Sequence, residues 1–262
     1  MKRILITGKS GYIAQCFDRS LRQFSSEYCA TSVSLRDGTW READFSQYDV
    51  VLHAAGIAHI KETTGNAHLY YEVNRDLTLD VAQKAKQAGV GQFVFLSSVS
   101  VYGMDEGVIT RETVPHPLSH YGKSKLQAEE GLRALRTDDF KVSILRPPMV
   151  YGDGCKGNYQ TLVKLARVVP IFPDYQNQRS MVSIETLCRF IKSVIDRGAE
   201  GIFFPQEERY ICTSEMVREI ADREGRQIKF VRWLNPLVSL AARSTKKGRK
   251  AFGSLIYQEL AV

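Results

Sequence analysis

Arg3-Ile4-Leu5-Ile6-Thr7-Gly8-Lys9-Ser10-Gly11-Tyr12-Ile13-Ala14 joins an apolar run to a glycine turn and then to helix-compatible sequence that continues to about Phe24. A short continuous apolar run suits a strand buried on both faces, and the glycines permit a tight turn close to a ligand. The stretch from Gly8 to Ala14 fits G-x-x-G-x-x-A. In that pattern the helix N-terminus holds a pyrophosphate, and a small residue such as Ala14 lets helix and strand pack closely. Strand, glycine loop and helix in this order point to dinucleotide binding, with Gly8, Lys9, Ser10, Gly11, Tyr12 and Ile13 as contacts.

The same rhythm recurs downstream. A β-rich stretch lies near Cys29 to Leu35, and apolar runs follow at Val50-Val51-Leu52-His53, Phe93-Val94-Phe95-Leu96 and Val142-Ser143-Ile144-Leu145. Leu77, Val81, Ala85 and Ala88 mark one face of a helix that Gly89 ends. Strands alternating with helices predict an α/β fold, a doubly wound parallel sheet of Rossmann type. After Gly152 the character shifts to loops with Pro170 and Pro173, and to an amphipathic helix carrying Leu187, Phe190, Ile191, Val194 and Ile195. Residues 1–152 are therefore read as the dinucleotide-binding core and 153–262 mainly as a smaller C-terminal substrate lobe.

With 262 residues the chain can bury a substantial core without disulfides. Cys16, Cys29, Cys155, Cys188 and Cys212 are scattered without metal-ligand spacing, which suits reduced thiols and gives no reason to expect a metal. Strand-like residues begin at Lys2 and no apolar run approaches the ~20 residues of a membrane span, so a cytoplasmic protein is expected. Of the net charge of +7, five units come from Arg243, Lys246, Lys247, Arg249 and Lys250. The basic character is thus local and gives no case for nucleic acid. The cluster reads either as a solvated segment or as a site of peripheral contact with an anionic membrane.

An acid at the end of the second strand ordinarily receives the free 2′-hydroxyl of NAD. Ser34 stands near that position, followed by Leu35 and Arg36. Arg36, with Lys9 from the glycine loop, suits the 2′-phosphate of NADP, while Asp37 keeps NAD open. The expectation is NADP(H) in preference to NAD(H).

Tyr121-Gly122-Lys123-Ser124-Lys125 places a phenol and an ammonium four residues apart, on one face of a helix expected to run toward Leu135. A phenol with pKa near ~10 exchanges protons poorly at neutral pH, and a neighbouring cation favours phenolate. Lys125 is also suited to binding the nicotinamide ribose. Upstream, Leu96-Ser97-Ser98-Val99-Ser100-Val101-Tyr102-Gly103 ends a buried strand in hydroxyls. Ser98 is then placed to hydrogen-bond the oxygen of the carbon that gains or loses hydride.

Along its whole length the chain resembles the extended short-chain dehydrogenase/reductase family, the NAD-dependent epimerase/dehydratases. The resemblance rests on the Gly8 to Ala14 loop, His53-Ala54-Ala55-Gly56, Ser97-Ser98, Tyr121 with Lys125, Arg146-Pro147-Pro148-Met149-Val150-Tyr151-Gly152, and Arg179-Ser180-Met181-Val182. It implies Ser98, Tyr121 and Lys125 as the catalytic set, and cofactor contacts from Ala54, Ala55, Gly56, Pro147 and Pro148. It also implies sugar-nucleotide contacts from Met149, Asn158 and Tyr159, and a pyrophosphate contact from Arg179, whose fork matches phosphate oxygens. Within the family the chain resembles bacterial 4-reductases of capsule and O-antigen synthesis, which act on UDP-2-acetamido-2,6-dideoxy-4-keto-hexoses. That likeness implies a UDP-sugar substrate and leaves a homodimer open, and those enzymes extend past the position of Val262.

The same resemblance discriminates among reactions. A 4,6-dehydratase carries an Asp-Glu pair after the catalytic hydroxyl, where this chain has Val99 and Ser100. UDP-hexose 4-epimerases typically have Asn in place of Met149 and an acid in place of Ser34. Both departures favour a reductase with exchangeable cofactor, with a 4-epimerase as the alternative and a non-catalytic dinucleotide sensor behind it.

Overall fold

The computed structural model describes residues 1–58, 60–155 and 157–258. Its strands are β1 (Lys2–Thr7), β2 (Tyr28–Val33), β3 (Val50–His53), β4 (Gln92–Leu96), β5 (Gly107–Ile109), β6 (Lys141–Leu145), β7 (Met149–Tyr151), β8 (Ile171–Pro173), β9 (Met181–Ser183), β10 (Gly201–Phe203), β11 (Lys229–Val231) and β12 (Leu255–Tyr257). The helices are α1 (Tyr12–Leu21), α2 (Ala67–Tyr71), α3 (Leu77–Gln87), α4 (His120–Leu135), α5 (Asn158–Val168), α6 (Ile184–Asp196), α7 (Thr213–Arg223), α8 (Asn235–Ser244) and α9 (Lys246–Phe252). The chain forms two compact units that interleave along the sequence. One comprises Met1–Gly103, Pro115–Pro147 and Ile184–Pro205, the other Met104–Val114, Pro148–Ser183 and the chain from Gln206 onward.

The first unit is built on a six-stranded sheet in the order β10-β6-β4-β3-β1-β2, with every pairing parallel. Every residue of β3 and β4 is buried, as expected of strands covered on both faces. Leu5, Val51, Phe93, Phe95, Val142 and Ile144 pack against Val81, Ala82 and Ala85 of α3 and Ala128 and Leu132 of α4. α1 and α6 pack together and bury Ala14, Phe17 and Leu21 from one helix and Leu187, Ile191, Val194 and Ile195 from the other. The amphipathic helix seen in the sequence after Gly152 thus belongs to this unit, and the strand after it, β10, extends the sheet beside β6. A π-helical turn, Glu72–Asp76, interrupts the helical run between α2 and α3.

Strand order reverses direction at β1, which lies between β2 and β3, and ligands of doubly wound sheets bind beyond the carboxyl ends of strands at such a switch point. Thr7 and His53 are in register as the last residues of β1 and β3. The glycine loop and the Ala54–Gly56 turn therefore leave the sheet side by side.

The second unit contains three short parallel pairs, β7 with β9, β8 with β11 and β5 with β12. α5 packs on α7, and α8 packs on α9.

Candidate active site

Ser98, two residues past the last residue of β4, caps the 3₁₀ turn Val99–Tyr102, its hydroxyl accepting the Ser100 amide at 3.1 Å. α4 brings Tyr121 to it. Ser119 caps that helix by accepting the Gly122 amide at 3.0 Å, and the Glu62 carboxylate accepts the amides of His120 (3.2 Å) and Tyr121 (3.0 Å). A carboxylate at a helix N-terminus also meets the favourable end of the macrodipole. Gly122 permits the approach, since a Cβ there would lie 2.4 Å from the Ser100 carbonyl oxygen. Tyr70 packs edge-on against the Tyr121 ring at 6.4 Å.

Lys125, one turn along α4, is buried. Its ammonium donates to the Leu96 carbonyl at 2.8 Å and sits 4.6 Å from the Phe95 ring centroid. Burial lowers its pKa to about 8, against a smaller opposing pull from Glu129. Contrary to the expectation from spacing, this cation does not bring the phenol down. Burial pushes Tyr121 above the ordinary phenol value, the neighbouring Ser98 hydroxyl works against that rise, and Tyr70 adds to it. The reason is directional: the ammonium is aimed at the end of β4 through Leu96.

The switch point fits a dinucleotide. Gly8 has φ +86°, and a Cβ there would stand 2.9 Å from the Ala55 backbone, so only glycine lets the two loops lie this close. The amides of Gly8 and Lys9 donate to the Val33 carbonyl at 3.0 and 3.2 Å, and the Gly11 amide donates to Gly8 at 2.6 Å. Gly8, Lys9 and Gly11 thereby shape the loop. α1 begins at Gly11 with no side-chain cap and no acid in its first turn, an end suited to pyrophosphate. Lys125 Nζ lies 3.3 Å from the point where a Gly56 side chain would start. Pro147 gives its carbonyl to the Val99 amide at 3.0 Å, holding the ends of β4 and β6 together.

At the end of β2, Ser34 accepts the Arg36 amide at 3.3 Å, and the Arg36 and Lys9 side chains are exposed. The Asp37 carboxylate is turned to Thr39, accepting its hydroxyl at 2.8 Å and its amide at 3.2 Å, which hold it below the usual carboxylate range.

Pro148, Met149, Asn158, Tyr159 and Arg179 lie in the second unit. Met149 pairs with Met181 across β7 and β9. At the start of α5 Asn158 is exposed, whereas Tyr159 is buried with its ring 6.0 Å from that of Tyr151. Arg179 is half-buried, and its guanidinium donates to the Gly253 carbonyl at 2.6 Å. Desolvation lowers its pKa, opposed by the charge of Asp105.

The model of the NAD dependent epimerase/dehydratase family matches residues 4–203. The chain belongs to that family. It is 34% identical over 249 residues to a UDP-glucose 4-epimerase of Vibrio cholerae, covering 84% of this chain and 75% of that one. It is 27% identical over 243 residues to the N-acetyl-alpha-D-glucosaminyl-diphospho-ditrans,octacis-undecaprenol 4-epimerase of Escherichia coli O157:H7, covering 90% and 72%. Among solved structures, a dTDP-4-dehydrorhamnose reductase of Bacillus anthracis in complex with NADP shares the fold, with TM-score 0.74, 17% identity and coverage of 99% and 90%.

Three elements of this epimerase/dehydratase site have roles that the sequence did not assign, although His53 and Arg146 stand in motifs it singled out. Asn74, fully buried in the π-helical turn, accepts the Ile57 amide at 2.9 Å and donates to the Ile57 carbonyl at 3.0 Å and to Ser124 at 3.2 Å. It ties the Ala54–Ile57 turn to the helix of Tyr121 and Lys125. Buried His53 bridges Thr7 (Nδ1, 3.0 Å) and Thr78 (Nε2, 3.0 Å), and burial lowers its pKa to about 3, so the imidazole is neutral. Behind Ser98 lies a buried ion pair. Arg146 donates to Glu129 through Nε at 3.0 Å and Nη2 at 2.5 Å and to the Tyr102 hydroxyl at 2.7 Å, and Ser97 also donates to Glu129. Glu129 and Asn74 carry no local signal, because each is defined by partners far away in sequence.

Proposed function

We propose that this family member reduces the 4-keto group of a UDP-2-acetamido-2,6-dideoxy-hexose at the expense of NAD(P)H, yielding a UDP-N-acetyl-6-deoxyhexosamine for surface polysaccharide. The observation that carries it is Ser98 just past the end of β4 together with Tyr121 and the buried Lys125, which stand one helical turn apart on α4. A bound nicotinamide supplies the hydride. Tyr121 gives its phenolic proton to the C4 oxygen, which Ser98 orients by a hydrogen bond, and solvent reprotonates the phenolate. Burial keeps Tyr121 in its protonated form, the form in which a reduction consumes it. Lys125, whose ammonium lies near Gly56, would hold the nicotinamide ribose. The first unit binds the dinucleotide and the second the UDP-sugar, through Met149, Asn158, Tyr159 and Arg179. Exposed Arg36 and Lys9, with Asp37 engaged by Thr39, favour NADP(H).

The second reading is a 4-epimerase, favoured by the 34% identity to the Vibrio cholerae enzyme. One experiment separates them. The 4-keto UDP-sugar with NADPH or NADH should give stoichiometric cofactor oxidation and a C4 alcohol by NMR. A UDP-sugar inverted at C4 without net cofactor consumption, together with failure to reduce the ketone, would establish the epimerase instead.

A further inference from the structure

We infer that α8 and α9 form a docking face for an anionic lipid bilayer. Two independent features coincide there. From Gly225 to Gln258 the sequence contains eight lysines and arginines and no acid, against +7 for the whole chain, so the remainder of the molecule is net negative by one. On the same element Trp233, Leu237 and Leu240 are 68%, 62% and 62% exposed. Their i, i+4, i+7 spacing lays them along one side of α8 and the turn before it. Large apolar side chains scattered singly over a surface need no explanation, but a tryptophan and two leucines aligned beside a basic cluster do.

The element is held in shape by contacts that leave those side chains outward. Thr245 joins the two helices by donating to the Ala241 carbonyl at 2.9 Å and accepting the Gly248 amide at 2.9 Å, and Arg249 donates to the Arg243 carbonyl at 2.8 Å. Arg243, Lys246, Lys247 and Lys250 are exposed, and none makes a salt bridge among the described residues. An apolar stripe with tryptophan, flanked by unpaired cations, fits the boundary between acyl chains and anionic headgroups: the indole and leucines enter the interface while the cations meet lipid phosphate. No helix among the described residues is long and apolar enough to cross a membrane, so this contact is peripheral.

The test uses the full chain and vesicles of phosphatidylglycerol and phosphatidylcholine, with pure phosphatidylcholine as the control. Sedimentation should show binding to the anionic vesicles that weakens steeply with salt, and little binding to the neutral ones. Removing three charges in Lys246→Gln/Lys247→Gln/Lys250→Gln should lower partitioning on the order of 100-fold, about five-fold per charge. Leu237→Ser/Leu240→Ser should weaken it by about ten-fold or more with the charges intact. A reporter independent of these variants is available, because the chain has two tryptophans and the other, Trp40, is buried with no hydrogen-bond partner for its indole N–H among the described residues. In Trp40→Phe the remaining emission comes from Trp233, and it should shift to the blue on anionic vesicles. Equal binding to both vesicle types, an unshifted Trp233 in vesicle-bound protein, or absence of binding at low salt would overturn the proposal. So would concentration-dependent dimerisation abolished by Leu237→Ser/Leu240→Ser, which would make the face a protein interface.

Discussion

Glu129→Gln should destabilise the protein by about 3–5 kcal/mol, the usual cost of leaving one member of a buried ion pair without its partner. Glu129 is fully buried and Arg146 is 4% exposed, so water can replace neither. Glutamine has nearly the same shape, which excludes a cavity as the cause. It offers one carbonyl oxygen where the carboxylate accepts from both Nε and Nη2 of Arg146 and from Ser97, and the guanidinium keeps only the Tyr102 hydroxyl at full strength. With a urea dependence of roughly 2–3 kcal/mol per molar, the unfolding midpoint should fall by about 1–2 M. Glu129→Leu/Arg146→Met removes both charges together and should recover most of that loss, because desolvation of the pair then no longer opposes folding. A midpoint within about 0.3 M of wild type for Glu129→Gln, or a double variant as unstable as the sum of its singles, would refute the reasoning.

Tyr121→Phe deletes only the proton donor and should lower turnover by ~100-fold or more while cofactor binding, followed by fluorescence titration, stays close to wild type. Arg36→Ala should shift the ratio of NADPH to NADH affinity toward NADH, and an unchanged ratio would remove this side chain from 2′-phosphate recognition. Arg179→Ala should raise KM for the UDP-sugar much more than for the nicotinamide, with Arg179→Lys recovering only part, since lysine lacks the planar fork. His53, with a folded pKa of about 3 against ~6.5 unfolded, makes stability fall as pH drops below ~6.5, because only the unfolded chain then takes up the proton. Between pH 7 and pH 5 urea unfolding should lose about 2 kcal/mol from this source, and His53→Gln should flatten that slope.

The parallel sheet was legible because its strands are continuous apolar runs, and the glycine loop because Gly8 and Gly11 follow the first of them directly. Tyr121 and Lys125 were legible for a similar reason: four residues on a helix is a local relation. What stayed hidden was set by distant pairings. Asn74 gains its meaning from Ile57 and Ser124, Glu129 from Ser97 and Arg146, and Gly122 from the Ser100 carbonyl. Spacing likewise could not tell that the Lys125 ammonium is directed at Leu96, so the electrostatics expected of the pair differ from those observed. The amphipathic pattern of α6 was plain, but its membership of the first unit follows from packing on α1.

The interleaving of the two units bears on how the chain is made. During synthesis β6 emerges well before β10, its neighbour at the sheet edge, and at about 5–20 residues per second the wait is several seconds. Throughout that interval the nascent polypeptide carries an open row of amides and carbonyls along a strand whose residues Val142 to Leu145 are buried once folding is complete. A ribosome-bound intermediate of this kind is a natural client for a holding chaperone, and truncations that stop before Phe203 should accumulate as aggregates even though they contain Ser98, Tyr121 and Lys125.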